Sequence, residues 1–150
     1  MPHAPHTIQE YHGIEFNFGA VAGDLLEVHA VTMAFTVLGW GLKQITAFAP
    51  GTTDAVLRLR SVTKAGVETD RDTITVSGAN VVAANRARGQ VIQDDLLGEG
   101  NEFDILPGES VKIRLNTAQV GGAGSAIPAF RFSFADVPDN KNTEKVEVNT

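Results

Sequence analysis

The stretch formed by residues 106–116 constrains the fold of this 150-residue chain more than any other. It begins with Pro107-Gly108-Glu109, in which proline presets φ for a turn and glycine accepts the positive φ that follows. From Val111 to Asn116, apolar and polar residues alternate, so side chains of opposite character point to opposite sides. A period of two is typical of a half-buried antiparallel strand, whereas a helix would distribute these side chains around its axis. The stretch therefore predicts a turn followed by a strand with one face in a core.

The same alternation recurs along the chain. The predicted strands cover residues 13–18, 25–38, 42–48, 55–63, 72–76, 90–93, 111–116 and 129–134. Because residues 25–38 exceed the common strand length, we expect this segment to bend or to pass between sheets near Gly39-Trp40-Gly41. Only residues 80–88 are compatible with a short helix, with Asn80 as its N-cap and Gly89 as its C-terminal stop.

About eight antiparallel strands in two packed sheets is the strand count of a jelly roll. We therefore predict an all-β protein, an antiparallel β-sandwich of the jelly-roll type. An immunoglobulin-like sandwich is the neighbouring alternative, and its disulfide and core-tryptophan spacing are missing from this sequence. The composition, 43% hydrophobic and 20% charged, is that of one globular domain over residues 1–150. Within it we expect a flexible N-terminal arm (1–12), a core (13–135) and a polar tail (136–150).

Composition and charge exclude several classes of protein. There is no cysteine, so the fold has no disulfide and no thiolate metal site, which suits synthesis in a reducing cytoplasm. The net charge of −6 disfavours nucleic acid as a partner. We expect no signal peptide, because residues 1–6 contain no basic n-region followed by an apolar h-region. We expect no membrane partner, because the longest apolar run, near residues 30–40, is too short and too interrupted to span a bilayer.

The sequence has no recognisable catalytic or metal-binding pattern, so we predict no enzyme, no cofactor and no metal site. A cupin-like enzyme needs several histidines, and the core region has only His29. The acidic loop at 94–104 offers oxygen ligands without the spacing of an EF-hand, so a solvated turn is expected there and a structural cation is the alternative. Ser125 lacks the surroundings of a nucleophile elbow.

Candidate partner-binding residues are basic or imidazole side chains. Arg58, Arg60, Lys112, Arg114 and Arg131 have outward parity on predicted strands, and His3, His6 and His12 lie on the arm. The basic residues form either ordinary solvent-facing charge or a patch that docks on an acidic surface or pairs across a subunit interface. The histidines suggest only incidental binding of divalent ions. Trp40, between two glycines, either packs into a corner of the fold or serves as an aromatic side chain in a binding site.

The sequence resembles the decoration, or cement, proteins of tailed bacteriophage capsids. The likeness is carried by the strand after Leu106-Pro-Gly-Glu, the closing strand Phe130-Arg-Phe-Ser-Phe and the polar segments at both ends of a cysteine-free chain. It implies a jelly roll that assembles as a trimer on the capsid exterior, binds the major capsid protein and holds neighbouring capsomers together. It also implies a virion location after synthesis in the host cytoplasm.

Two alternatives of other classes remain open. A carbohydrate- or ligand-binding β-sandwich module would need several exposed aromatic residues, and the chain has one tryptophan and one tyrosine. A small cupin-like enzyme is disfavoured by the missing histidines.

Overall fold

The computed structural model describes residues 8–94, 96 and 100–134, which form ten β-strands and one 3-10 helix. The strands are β1 (Gln9–His12), β2 (Phe16–Asn17), β3 (Gly23–His29), β4 (Phe35–Ala49), β5 (Ala55–Val62), β6 (Glu68–Val76), β7 (Val91–Asp94), β8 (Phe103–Ile105), β9 (Ser110–Thr117) and β10 (Ala123–Phe134). The 3-10 helix covers Ala83–Asn85. The all-β prediction is confirmed.

The strands form two antiparallel sheets that pack as a sandwich. The first sheet has the order β1-β10-β4-β7, with β2 also paired to β10 and β8 to β4. The second sheet has the order β3-β9-β5-β6. If β1 and β2 are counted as one interrupted strand, and β7 and β8 as another, each sheet has four strands. The chain then passes from one sheet to the other at every connection except the β5–β6 hairpin, as in a jelly roll. The predicted architecture is therefore confirmed.

The inner faces of the two sheets form one core, as the period-two pattern requires. In the second sheet, Leu57 faces Leu115 and Leu59 faces Ile113, and all four side chains are fully buried. Trp40 extends from the first sheet into the core, where it is 1% exposed and its Nε1–H donates to Asp72 Oδ2 of the second sheet at 2.8 Å. Trp40 therefore links the two layers and is not a surface aromatic.

The segment at 25–38 is two strands in different sheets. The chain crosses at residues 30–34, where Ala30 is held by its N–H to Glu109 O (2.9 Å) and by Gly108 N–H to its own carbonyl (2.7 Å). The expected crossing near Gly39-Trp40-Gly41 was wrong, since this tripeptide lies inside the continuous strand β4.

Residues 80–88, which were compatible with a short helix, do not form one over their whole length. Asn80 does not act as an N-cap, because its side-chain amide donates back to Thr75 O at 3.0 Å and its own N–H bonds to Ser77 Oγ at 3.1 Å. These bonds make a turn, and only Ala83–Asn85 is helical, with Val82 in the N-cap position.

Part of the predicted flexible arm is an ordered strand. β1 pairs with β10 over four residues, from Gln9 opposite Phe132 to His12 opposite Ala129. Residues 1–7, which include His3 and His6, and the tail at 136–150 lie outside the described residues.

Candidate functional site

Four of the five predicted basic residues lie together on the outer face of the second sheet. β5 contributes Arg58 and Arg60, and β9 contributes Lys112 and Arg114. Three carboxylates from the flanking strands lie among them, Asp24 on β3 and Glu68 and Asp70 on β6. We call these seven residues the ion-pair network.

The network is a continuous chain of contacts across all four strands. Its nitrogen–oxygen distances are, in order, 3.1 Å for Arg114–Asp24, 3.1 Å for Asp24–Lys112, 2.7 Å for Lys112–Glu68, 2.9 Å for Glu68–Arg60, 2.5 Å for Arg60–Asp70 and 2.5 Å for Asp70–Arg58. Lys112 is central to it, since its side chain crosses β5 to reach Glu68 and is itself buried. An ammonium group can be buried in this way because two carboxylates accept its protons.

The ion pairs shift the pKa values of their members. Hydrogen bonds to Lys112 and Arg60 hold the pKa of Glu68 below its ordinary value. Burial raises the pKa of Asp24, but hydrogen bonds from Lys112 and Arg114 outweigh it and lower that pKa overall. At Asp70, burial is likewise outweighed by Arg58 and Arg60, so its pKa is also lowered.

The ion pairs bear on the two interpretations of the basic residues, ordinary solvent-facing charge or a docking patch. Four cations are matched by three carboxylates within hydrogen-bonding distance, so the outer face of the second sheet is nearly neutral. Arg131 belongs to the first sheet, on β10, and does not join this surface. The network therefore fixes the four strands laterally and is a poor docking surface for an acidic partner.

The ion-pair network makes stability depend on acid pH. Because the carboxyl pKa values are lowered in the folded state, the unfolded chain takes up protons first, and the stabilisation present above about pH 4 is lost as pH falls through the folded-state values. We expect the urea midpoint to fall more in the wild type than in Asp70→Asn between about pH 6 and pH 2. The control is Glu102→Gln at an exposed site, which should keep the wild-type dependence of the urea midpoint on pH. Identical plots of urea midpoint against pH for D70N and the wild type would contradict this account.

The outer face of the first sheet contains a shallow trough. Strand register places His12, Ala129, Gly41 and Gln93 in one row across β1, β10, β4 and β7. The two central positions of this row carry no side chain larger than a methyl group, so the row is a depression between its neighbours. A cavity of about 550 Å³ lies over it.

Larger side chains border the trough on both sides. One flanking row contains Glu10 and Arg131, and the other contains Ile127, Lys43 and Val91. These rows lie four residues apart along β10, which corresponds to about 13 Å between their backbones.

Two glycines of β4 shape the trough. A methyl group at Gly41 would lie 2.6 Å from Ile92 O, so glycine permits the close approach of β7. A methyl group at Gly39 would overlap the guanidinium of Arg131, whose Nη2 donates to Asp94 O at 3.4 Å. The absence of a side chain at Gly39 therefore leaves room for the guanidinium of Arg131 at the border of the trough.

The end of the sandwich that contains the 30–34 connection is apolar. Pairing of Val62 with Ser110, and of Ser110 with His29, brings the turns at 63–67 and 106–109 to the same end as this connection. Large apolar side chains that are 40–79% exposed lie there, namely Ile8, Val31, Met33, Val67, Leu106 and Phe134. We call this surface the apolar end.

A cavity of about 290 Å³ opens into the apolar end. It is lined by Val31 and Met33 on one side and by Phe130, Phe132 and Phe134 of β10 on the other. Exposed apolar side chains from separate segments, gathered at one end of a rigid sandwich, are typical of a protein-binding surface.

The remaining candidates do not converge on a reactive centre. His29 is exposed and lies 3.8 Å from Glu27. Ser125 Oγ donates to Glu15 Oε2 at 2.6 Å, and Thr46 Oγ1 lies 2.8 Å from it. Among residues 8–94, 96 and 100–134, no group of three or more histidine or acidic side chains is arranged to hold a metal ion. Asp95 and Glu99 of the acidic loop lie outside the described residues.

The helical residues described by the structure include no segment long and apolar enough to span a membrane.

Comparisons with known proteins add little. No family model and no curated protein matches this chain. Among solved structures there is a likeness to a chain in "Structure of infectious bursal disease virus Gt strain", at 12% identity and a TM-score of 0.15. The likeness covers 94% of this chain and 41% of that chain, so this chain spans less than half of its length. A TM-score this low carries no argument about fold or function.

Sequence reasoning missed both the trough and the apolar end. The trough depends on register between strands that are far apart in sequence, although Gly39 and Gly41 in an otherwise apolar strand were a signal of close backbone approach. The apolar end is assembled from five segments, and only Val31-Thr32-Met33 gives a local signal.

Proposed function

We propose that this chain is a structural, non-enzymatic capsid decoration protein that attaches to the outside of a phage head and stabilises contacts between capsomers. Its partners are the major capsid protein and further copies of the same chain, as a trimer. The observation that carries the proposal is the apolar end, since a surface of this kind is suited to attachment to another protein. The resemblance to decoration proteins supports the same role.

The exposed apolar area of the apolar end is consistent with attachment at several points. The exposed fractions of the six side chains at the apolar end add up to more than three fully exposed residues, which is several hundred Å². A standard protein interface covers roughly 800 Å² on each partner. The apolar end therefore supplies the centre of one modest interface, and an oligomer that uses several such interfaces at once gains strength through multivalency.

The carbohydrate-binding alternative has less support. A glycan site of a β-sandwich usually presents aromatic rings to the sugar, and the tryptophan of this chain is buried between the sheets. Among the residues that line the trough, Trp40 is the one tryptophan, and there is no tyrosine or phenylalanine.

The proposal is tested by adding charge to the apolar end. We expect the double variant V31D/M33D to lose at least tenfold in co-sedimentation with capsids of the candidate phage, because two carboxylates would be desolvated in the interface. The matched control is Val21→Asp, since Val21 is 92% exposed and lies at the opposite end of the sandwich. V21D should bind like the wild type, and unchanged binding of V31D/M33D, or no binding of the wild type to any capsid lattice, would overturn the proposal.

A further inference from the structure

We infer that a polar cavity at the end of the sandwich opposite the apolar end binds the carboxamide side chain of an asparagine or glutamine in a partner protein. This cavity, which we call the glycine cavity, has a volume of about 540 Å³ and lies where Asn17, Gly19 and Gln119 meet residues 121–124. The inference goes beyond the decoration role and does not rest on it, because the whole of β10 separates the glycine cavity from the apolar end.

Hydrogen bonds between backbone groups fix the walls of the glycine cavity. Phe18 N–H donates to Gly124 O at 3.0 Å, and Gln119 N–H donates to Phe18 O at 2.7 Å. These bonds join the turn after β2 to the β9–β10 connection and to the start of β10. The cavity is therefore formed before a ligand arrives, which lowers the ordering cost of binding. Its volume is within the usual range of ligand sites, roughly 300–1,000 Å³.

The side chain of Gln119 supplies a hydrogen-bond acceptor to the glycine cavity. Gln119 is 6% exposed, and its Nε2 donates to Ala49 O at 2.9 Å. Because a carbonyl oxygen can only accept, this bond determines which end of the amide is the nitrogen and which is Oε1. Within the part of the chain that the structure describes, Oε1 accepts no hydrogen bond. A largely buried acceptor without a donor costs free energy, which a ligand N–H recovers.

Two backbone N–H groups close to Gln119 supply donors. A methyl group at Gly122 would overlap Ala49 O, the carbonyl that also accepts from Gln119, so the backbone of Gly122 lies close to the glutamine amide. Among the described residues, the N–H groups of Gly121 and Gly122 have no acceptor. Both glycines have a positive φ, +71° and +70°, and no side chain covers their peptide groups. A flat ligand group can therefore approach this backbone closely.

A carboxamide matches this arrangement because one flat group carries both a donor and an acceptor. Its nitrogen donates to Gln119 Oε1, and its oxygen accepts from the N–H of Gly121 or Gly122. A carboxylate has no proton for Oε1, and no arginine, lysine or histidine lines the glycine cavity to balance a negative charge. No aromatic side chain lines it either, which disfavours a sugar ring.

The test is an amide NMR titration of the full, isotope-labelled chain with the peptide acetyl-Gly-Gln-Gly-N-methylamide, whose one primary carboxamide is the glutamine side chain. The comparison peptides carry glutamate or methionine in place of glutamine. We expect saturable shifts of the Gly121 and Gly122 N–H signals with the glutamine peptide. Binding of the other two should be at least tenfold weaker, because a site built for hydrogen bonds rejects side chains that cannot complete them.

Two variants of the chain test the site itself. Ala123→Leu should weaken binding of the glutamine peptide at least tenfold, because Ala123 lines the glycine cavity and a larger side chain fills it. Gln119→Met should do the same by removing the acceptor oxygen. The matched control is Ala65→Leu, an exposed alanine in the 63–67 turn at the other end of the sandwich. A65L should bind within twofold of the wild type.

Several results would overturn the inference. These are equal affinities for the three peptides, no shift of the Gly121 and Gly122 signals with any of them, or an unchanged affinity of A123L. Tighter binding of maltose through the same signals would assign the glycine cavity to glycans and would also overturn it. If Q119M fails to fold, A123L and the three peptides decide, since the side chain of Ala123 is exposed and its replacement removes no core contact.

Discussion

Replacement of Phe130 by alanine is expected to destabilise the fold by about 3–5 kcal/mol, the usual cost of removing a buried aromatic ring. Phe130 is 1% exposed and lies on β10, one of the two central strands of the first sheet. Its ring centroid is 6.2 Å from that of Phe35, 5.6 Å from that of Phe132 and 6.0 Å from that of Tyr11. The variant therefore leaves a cavity where three other rings meet.

Urea unfolding followed by the emission of Trp40, which is buried and is the single tryptophan, measures this loss. The matched control is Phe134→Ala on the same strand, where the side chain is 40% exposed. Its cost should be about 1 kcal/mol or less. Equal losses for the two variants would show that the core is not centred on Phe130.

Gly51→Ala is expected to destabilise the fold by about 3 kcal/mol, the upper part of the usual range for overpacking. A methyl group at Gly51 would overlap the carbonyl oxygen of Val120 and lie 2.6 Å from that of Gly121. Both neighbours are backbone, and they cannot move away freely because Thr52 N–H donates to Val120 O at 2.7 Å and Val120 N–H to Thr53 O at 3.1 Å. The clash therefore strains the junction between the β4–β5 and β9–β10 connections.

The control is Gly66→Ala, which separates steric overlap from backbone conformation. Gly66 has a φ of +87° and no atom within 4 Å of an added methyl group, so alanine there meets only the left-handed penalty of about 1 kcal/mol. Urea midpoints of the two variants give the comparison. A smaller loss for G51A than for G66A would contradict the steric argument.

The sequence predicted the parts of the fold that depend on local alternation. Residues 55–63 and 111–116 became β5 and β9, with Leu57, Leu59, Ile113 and Leu115 in the core, because period two determines which side chains share a face. The crossing between the sheets at 30–34 could not be predicted from the neighbouring residues in the sequence. It depends on the hydrogen bonds that Ala30 N–H donates to Glu109 O and that Ala30 O accepts from Gly108 N–H, about eighty residues away.

The candidate surfaces were harder to predict for the same reason. The alternation of side chains along the predicted strands placed four basic residues on one outer face, and these four do lie on one sheet. The alternation alone does not show that Asp24, Glu68 and Asp70 lie between them. Parity also cannot assign a strand to a sheet, so Arg131 was grouped with residues of the opposite layer. Surfaces built from several loops or from strand register require the tertiary structure.

The position of β10 affects how the protein is made. This strand is the last in the described chain, yet it pairs with β1, β2 and β4 and holds the first sheet together. During translation, residues 9–49 therefore emerge long before their central partner leaves the ribosome, and at roughly 5–20 residues per second the gap lasts several seconds. Nascent chains must keep these strand edges from pairing with other chains in the meantime, so slower synthesis, which lengthens the gap, should lower the share of chain that reaches the native sheet order.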